Sequence, residues 1–212
     1  VVAGETRLTG QSRDSSIQTL AQVGDADYEV PNDASVPAYY ALMASEYMHR
    51  TGITRADLAE FAVLMRANAV RHPGAHLRTP ITHAEVLASK PIAEPLTLLD
   101  CCPISDGAMA LVVSAEPGPH APVRMAGAGQ AHRHQHLTAM ADVMQCGAGE
   151  AAAQAFAEAG LAHADIGYLG IYDSFMITLA MLLVETGFAP RAGAAARSRA
   201  GDFAPTGALP LN

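Results

Sequence analysis

The side chain types best suited to chemistry in this 212-residue chain gather in a few short stretches, and Tyr172-Asp173-Ser174-Phe175 is the most informative. It lies between an apolar run, Ile166 to Ile171, and a segment with helical rhythm through Phe175, Leu179, Leu182 and Leu183. That pattern predicts strand, sharp turn and helix, with Asp173 or Ser174 as the cap. A strand feeding a helix N-terminus places polar side chains and unpaired N–H groups at the carboxyl edge of a sheet, where α/β folds hold their chemistry. The Tyr172 phenol could act there as acid, base or oxyanion donor, and the helix N–H groups could bind a carbonyl or phosphate oxygen. Plain helix capping beside a half-buried Tyr172 is the structural alternative.

The other candidates are weaker. Cys101-Cys102 offers a nucleophile, but a thiol needs a base or a helix N-terminus to lower its pKa, and no His is near in sequence. A small apolar lining role fits the pair better. Asp106-Gly107 suits a turn carboxylate that accepts backbone N–H groups. His132, His134 and His136 alternate so that a strand would place them on one side, as a metal could use, yet no second ligand cluster accompanies them and no metal is assigned. The Gly147-x-Gly149 after Cys146 is not a dinucleotide fingerprint, since it follows no clear strand and lacks a third Gly.

Composition narrows the class. Half of the residues are hydrophobic but only 5% are aromatic and there is no Trp, so the core must be built from Ala, Val, Leu, Ile and Met. The net charge of -8 argues against nucleic-acid binding and against attraction to an anionic membrane surface. No apolar segment reaches the roughly 20 residues that span a bilayer, and no signal sequence opens the chain. Three cysteines, two of them adjacent, suit a reducing compartment, so a cytoplasmic location is expected. The apolar start at Val1 and the stop at Leu209-Pro210-Leu211-Asn212 suggest a piece of a longer protein.

Positioning elements follow from periodicity. Val1 to Gly4 is expected as a short buried strand, residues 8–37 as surface loop, and Val36 to Thr51 as a helix. Thr54 and Asp57 form a capping box for a second helix, and Thr82 caps a third over Ala84 to Ala88. Ala108 to Ser114 has the continuous apolar character of a strand buried on both faces. Pro117-Gly118-Pro119 marks a domain boundary, Val123 to Ala128 another strand, Val143 to Gly160 an Ala-rich helix, and residues 189–212 a loop. Strands alternating with helices give a layered α/β fold, interrupted by a helical insertion.

Taken together, these motifs resemble the central part of a thiolase, of the sterol-carrier-protein-type and lipid-transfer-protein-like branch. The resemblance rests on Val1-Val-Ala-Gly-Glu5, Tyr47-Met48 with Gly52-Ile-Thr54, Pro80-Ile-Thr82 with Ser89-Lys-Pro-Ile92, Pro95 to Pro103 with Ser105-Asp-Gly-Ala108, Tyr172-Asp-Ser-Phe175 with Gly187-Phe188, and Leu209-Pro-Leu-Asn212. It implies an incomplete αβαβα layered α/β fold. Residues 1–7 and 95–116 would belong to an N-terminal half, 8–94 to a mostly helical loop domain covering coenzyme A, and 122–212 to the start of a C-terminal half. It also implies that Tyr39, Tyr40 and Cys102 line a pantetheine pocket, that Tyr172 stands beside the acyl oxygen, and that Phe175 is the aromatic that follows it. The substrate would be a coenzyme A thioester with no permanently bound cofactor, in a homodimer or tetramer.

Two departures shape the expected activity. The family's reactive Cys and its Gly-His-Pro base have no counterpart in these residues, so acyl transfer is expected of a longer protein and not of this chain alone. Tyr172 replaces a His or Asn, and Tyr-Asp-Ser-Phe is similar to thiolase-like aldolases that cleave sterol side chains with a small OB-fold partner. The expectation is therefore an acyl-coenzyme A C-acyltransferase, with a retro-aldolase or a non-catalytic acyl-coenzyme A or partner-binding module as alternatives.

Overall fold

The computed structural model describes residues 1–32, 35–116 and 123–212. Helices dominate. The N-terminal strand β1 (Val2–Glu5) pairs antiparallel with β4 (Gly107–Ala110), and a short hairpin joins β2 (Pro91–Ala93) to β3 (Leu96–Thr97). The remaining elements are α1 (Arg13–Ala21), α2 (Val36–Thr51), α3 (Arg55–Arg71), α4 (His83–Leu87), α5 (Ala148–Ala159), α6 (Met176–Glu185) and α7 (Ala194–Arg199).

The caps expected at Thr54 and Thr82 are present. Thr54 Oγ1 accepts the Asp57 N–H at 3.3 Å while Asp57 Oδ2 accepts the Thr54 N–H at 2.8 Å, and Thr82 with Glu85 repeats the arrangement on α4. Gly52 closes α2 at φ 73, a left-handed value that favours glycine. The core lies where α3 meets α6, α4 and α7: Leu58, Phe61, Val86, Leu96, Ile177, Leu179, Leu183, Phe203 and Leu211 are almost fully buried. α6 is apolar nearly all round, as a helix packed on several sides must be.

Several elements differ from expectation, each for a local reason. The expected loop at 8–37 contains α1, because Ser12 Oγ accepts the Ser15 N–H at 3.1 Å and buried Ser16 donates to the Arg7 carbonyl; neither needs an apolar stripe. The apolar run 108–114 forms a strand only as far as Ala110, and it is exposed: Met109, Val112 and Val113 face solvent, since among the described residues β4 has β1 as its one strand neighbour and no layer over it. Residues 123–128 form no strand. Their backbone runs against α5, so close that a Cβ at Gly127 would lie 2.3 Å from the Ala155 carbonyl oxygen, and the Ala128 N–H goes to Glu158.

Further along, α5 begins at Ala148, not Val143. The run 166–171 contributes a single parallel bridge, Leu169 with Leu211, in place of a strand. The supposed loop at 189–212 holds α7 and buries Phe203 and Leu211. The boundary read at Pro117-Gly118-Pro119, and Pro122, lie outside the described residues. Among the described residues no helix is long and apolar enough to cross a membrane.

Candidate functional site

The Tyr172 turn is held from both sides. Upstream, Asn212 reaches across the chain: its Oδ1 accepts the Ile171 N–H and its Nδ2 donates to the Ile171 carbonyl, both at 2.8 Å. Asn68 on α3, itself buried, donates to the Leu211 carbonyl at 2.7 Å and so fixes the residue that precedes the clamp. Downstream, Phe175 bridges Cys101 antiparallel, and the Cys102 N–H donates to the Ser174 carbonyl at 2.9 Å. This pairing draws residues 174–175 into extended backbone. Phe175 (φ -140, ψ 150) consequently takes the N-cap of α6, and Asp173 and Ser174, expected as caps, do not. α6 therefore starts without a side chain on its first-turn N–H groups.

Four of the five residues singled out in the sequence meet here. Tyr40 on α2 stacks on Phe175 with ring centroids 4.1 Å apart and planes 21° from parallel. Tyr172 stands at the rim, 72% exposed, near enough to Tyr40, Cys102 and Asp173 to feel their charge. Partial burial, reinforced by those neighbours, holds its phenol above the ordinary value of 10.0, so it is protonated at neutral pH. Asp173 is also raised, by burial, and lines with Cys101 and Cys102 a cavity of about 410 Å³ on the α3 side.

Tyr39 goes elsewhere. One residue along a helix is a rotation of about 100°, and Tyr39, away from the Phe175 stack, lines with Tyr40 and with Leu20 of α1 a second cavity of about 510 Å³. The two adjacent tyrosines thus share this cavity, but only Tyr40 also stacks on Phe175, a division that their adjacency in sequence did not show. Asn212 and Asn68 were missed as positioning residues. An Asn can satisfy both an N–H and a carbonyl of one residue, but nothing local announces which residue 41 positions away it will hold.

The lesser candidates resolve as structure. Asp106 accepts the N–H groups of Arg7, Leu8 and Thr9 and the Thr9 hydroxyl, contacts that lower its carboxyl to about 2 and tie the end of β1 to the approach to β4. Of the three histidines, His134 and His136 line the larger cavity while His132 does not, and among the described residues no group of three His, Cys, Asp or Glu side chains is placed to hold a metal. Burial pushes the Cys101 thiol to about 12; burial and then Glu185, whose Oε2 lies 2.6 Å from Sγ, push Cys146 to about 11. Cys102 is raised as well, by burial and by Asp173. Iodoacetamide at pH 8 is therefore expected to label Cys101 and Cys146 well over ten times more slowly than free cysteine, because the thiolate is the nucleophile; peptide mass spectrometry showing either labelled as fast as free cysteine would contradict this.

Comparisons with known proteins point the chain to one family. Residues 129–212 match the model for the thiolase C-terminal domain-like family. Acetyl-CoA acetyltransferase of Methanothermobacter thermautotrophicus is 33% identical over 174 residues, covering 80% of this chain and 45% of the relative. The chain belongs to the thiolase superfamily. The steroid side-chain-cleaving aldolase of Thermomonospora curvata is 35% identical over 196 residues, 86% of this chain and 50% of the relative. A solved structure titled Ltp2-ChsH2(DUF35) aldolase superposes with a TM-score of 0.79 at 32% identity, covering 97% of this chain and 55% of that one. The chain thus has the thiolase-like α/β fold in part, and spans about half the length of the relatives it matches.

Proposed function

We propose that this chain supplies the carbonyl-oxygen side of an acyl-coenzyme A site, and that the reaction served is retro-aldol cleavage of a β-hydroxyacyl-coenzyme A. The observation that carries the proposal is Tyr172: a protonated phenol presented at the rim of the turn, beside Cys102 and the stacked pair of Tyr40 and Phe175. In this reaction a base takes the β-hydroxyl proton and the Cα–Cβ bond breaks. Its electron pair passes into the thioester as an enolate, and Cα is then protonated to leave a shorter acyl-coenzyme A and a carbonyl compound. Charge develops on the thioester oxygen, and a preorganised neutral donor stabilises it most where it grows. Tyr172 is assigned that role. Tyr40, Phe175 and Cys102 form the wall along which the thioester lies, and no permanently bound cofactor is required.

A second reading, acyl transfer, is favoured by the identity to the acetyl-CoA acetyltransferase. It needs a cysteine with a lowered pKa; the three thiols of these 212 residues are all raised, so in this reading the nucleophile belongs to the rest of a longer protein. In either reading residues 1–7 and 95–116 belong to an N-terminal half, 8–94 to the loop domain over coenzyme A, and 122–212 to a C-terminal half. The assembly is a cytoplasmic homodimer or tetramer, and the aldolase reading adds a small OB-fold partner. Incubating the full-length protein with a 3-hydroxyacyl-coenzyme A, and separately with acetoacetyl-coenzyme A plus free coenzyme A, tests the choice. Cleavage to a carbonyl compound without free coenzyme A is the expected result. Thiolysis alone would establish acyl transfer, and binding without turnover a non-catalytic module.

A further inference from the structure

Tyr172 ends a stretch of chain with few restraints of its own. Its side chain is mostly exposed, so packing alone does not fix where the phenol points. Two residues earlier stands Gly170, the residue type with the widest backbone freedom, and a Cβ there would meet nothing closer than 3.9 Å. Among the described residues the backbone from Gly170 to Tyr172 makes two hydrogen bonds, both to the Asn212 side chain and both at 2.8 Å. One of them holds the Ile171 carbonyl, which belongs to the peptide unit leading into Tyr172. Because that unit is planar, fixing its oxygen fixes the plane from which the Tyr172 side chain departs.

The backbone of Asn212 supplies a second, independent observation. Among the described residues it is the one non-glycine with a positive φ, at 55. Glycine enters that region without steric cost, whereas an L side chain is strained there, Asn less than most. Strain kept beside a functional turn points to a task that glycine could not perform. Here the task is the double hydrogen bond to Ile171, which needs an acceptor and a donor on one short side chain.

The clamp is itself anchored in the core. The Asn212 N–H donates to the Leu169 carbonyl and the Leu169 N–H to the Pro210 carbonyl, each at 2.9 Å, which sets residues 210–212 alongside the approach to the turn. Buried Asn68 on α3 donates to the Leu211 carbonyl at 2.7 Å. A continuous line of hydrogen bonds thus runs from a core helix to the peptide that carries Tyr172.

We infer that Asn212 is a positioning residue for the Tyr172 phenol, anchored on α3 by Asn68, and that it aligns the hydroxyl with the thioester oxygen without touching substrate. The inference rests on the role given to Tyr172 above and adds the residue that holds it in place.

The test uses Asn212→Gly in the full-length protein, since glycine keeps the left-handed backbone and removes only the amide. For β-hydroxyacyl-coenzyme A cleavage kcat is expected to fall about 10–100-fold, the scale of a roughly 1 Å misplacement, while KM stays within about twofold. Asn212→Asp keeps an acceptor for the Ile171 N–H but no donor for its carbonyl, and falls between the two. Added to Tyr172→Phe, Asn212→Gly costs less than about twofold more, because there is no hydroxyl left to misplace. An equal loss in both backgrounds would overturn the inference in favour of a general structural role.

A second readout needs no turnover. The tyrosinate absorbance titration of each protein, less that of its Tyr172→Phe counterpart, isolates the Tyr172 phenol, which partial burial beside Cys102, Tyr40 and Asp173 holds above 10.0. In Asn212→Gly that titration is expected to move down toward 10.0 as the seat loosens. An unmoved titration would overturn the inference whatever the reaction. Absence of cleavage by the unmodified protein would instead remove the retro-aldol reading, and the titration would still decide the positioning role.

Discussion

Tyr172→Phe in the full-length protein lowers kcat for β-hydroxyacyl-coenzyme A cleavage by about 10²–10³-fold, the usual loss on deleting one oxyanion donor, while KM changes little. The separation follows from where the hydroxyl acts. Phe keeps the ring at the turn, so the stack of Tyr40 on Phe175 and the pairing of Cys102 with Ser174 persist and ground-state contacts survive. What disappears is a proton offered to an oxygen that becomes strongly basic only as the carbon–carbon bond breaks. The pH profile supplies an independent check. The donor form is the protonated phenol, and its pKa is raised. Activity due to Tyr172 is therefore retained across neutral pH and lost only as pH rises past the ordinary phenol value of about 10. Equal turnover of the two proteins, or an alkaline limb near neutrality that Tyr172→Phe abolishes, would remove Tyr172 from this role.

That site was partly legible in the sequence because its chemistry is local. Tyr172 to Phe175 are contiguous, and the break in apolar rhythm before α6 reveals a turn whatever packs around it. The capping boxes of α3 and α4 were readable for the same reason, since both partners lie within four residues. Non-local partners were not readable. Asp173 and Ser174 have better capping chemistry than Phe175, yet a backbone bridge to Cys101, over 70 residues away, decided where α6 begins. Local propensity ranks the residues, and tertiary hydrogen bonds choose among them. The exposed ribbon of β1 and β4 shows the complementary error: an apolar run predicts burial only if something lies over it, and that is a property of the neighbours. Tyr39 and Tyr40 illustrate a third limit: both line the larger cavity, yet only Tyr40 reaches Phe175, and adjacency on a helix does not say which of the two will.

The same long-range logic makes Arg55 the residue whose loss should cost most stability. Asp100 is wholly buried at the end of a short 3-10 turn, Leu98–Asp100, where its Oδ2 accepts Arg55 Nη1 at 2.6 Å and the Thr97 N–H and hydroxyl, both at 2.8 Å. Arg55 also donates to Thr97 Oγ1 at 3.1 Å from the first turn of α3, so one guanidinium joins the helix to the turn that carries Cys101 and Cys102. Arg55→Met keeps the aliphatic stem but leaves a buried carboxylate without its counter-charge, a defect that costs about 3–5 kcal/mol in buried pairs. The Arg55 side chain is 23% exposed, which places the expected loss near the lower end, about 3 kcal/mol by urea unfolding. Arg55→Met combined with Asp100→Asn removes the stranded charge while keeping an acceptor for the Thr97 N–H, and should recover more than half of the loss. If Arg55→Met alone stays within about 0.5 kcal/mol of the parent protein, as an ordinary surface substitution would, the pair is not what holds the turn. A large loss accompanied by weakened thioester binding would instead show that the Cys101-Cys102 strap, and with it the seat of Phe175, depends on a charge buried one residue away.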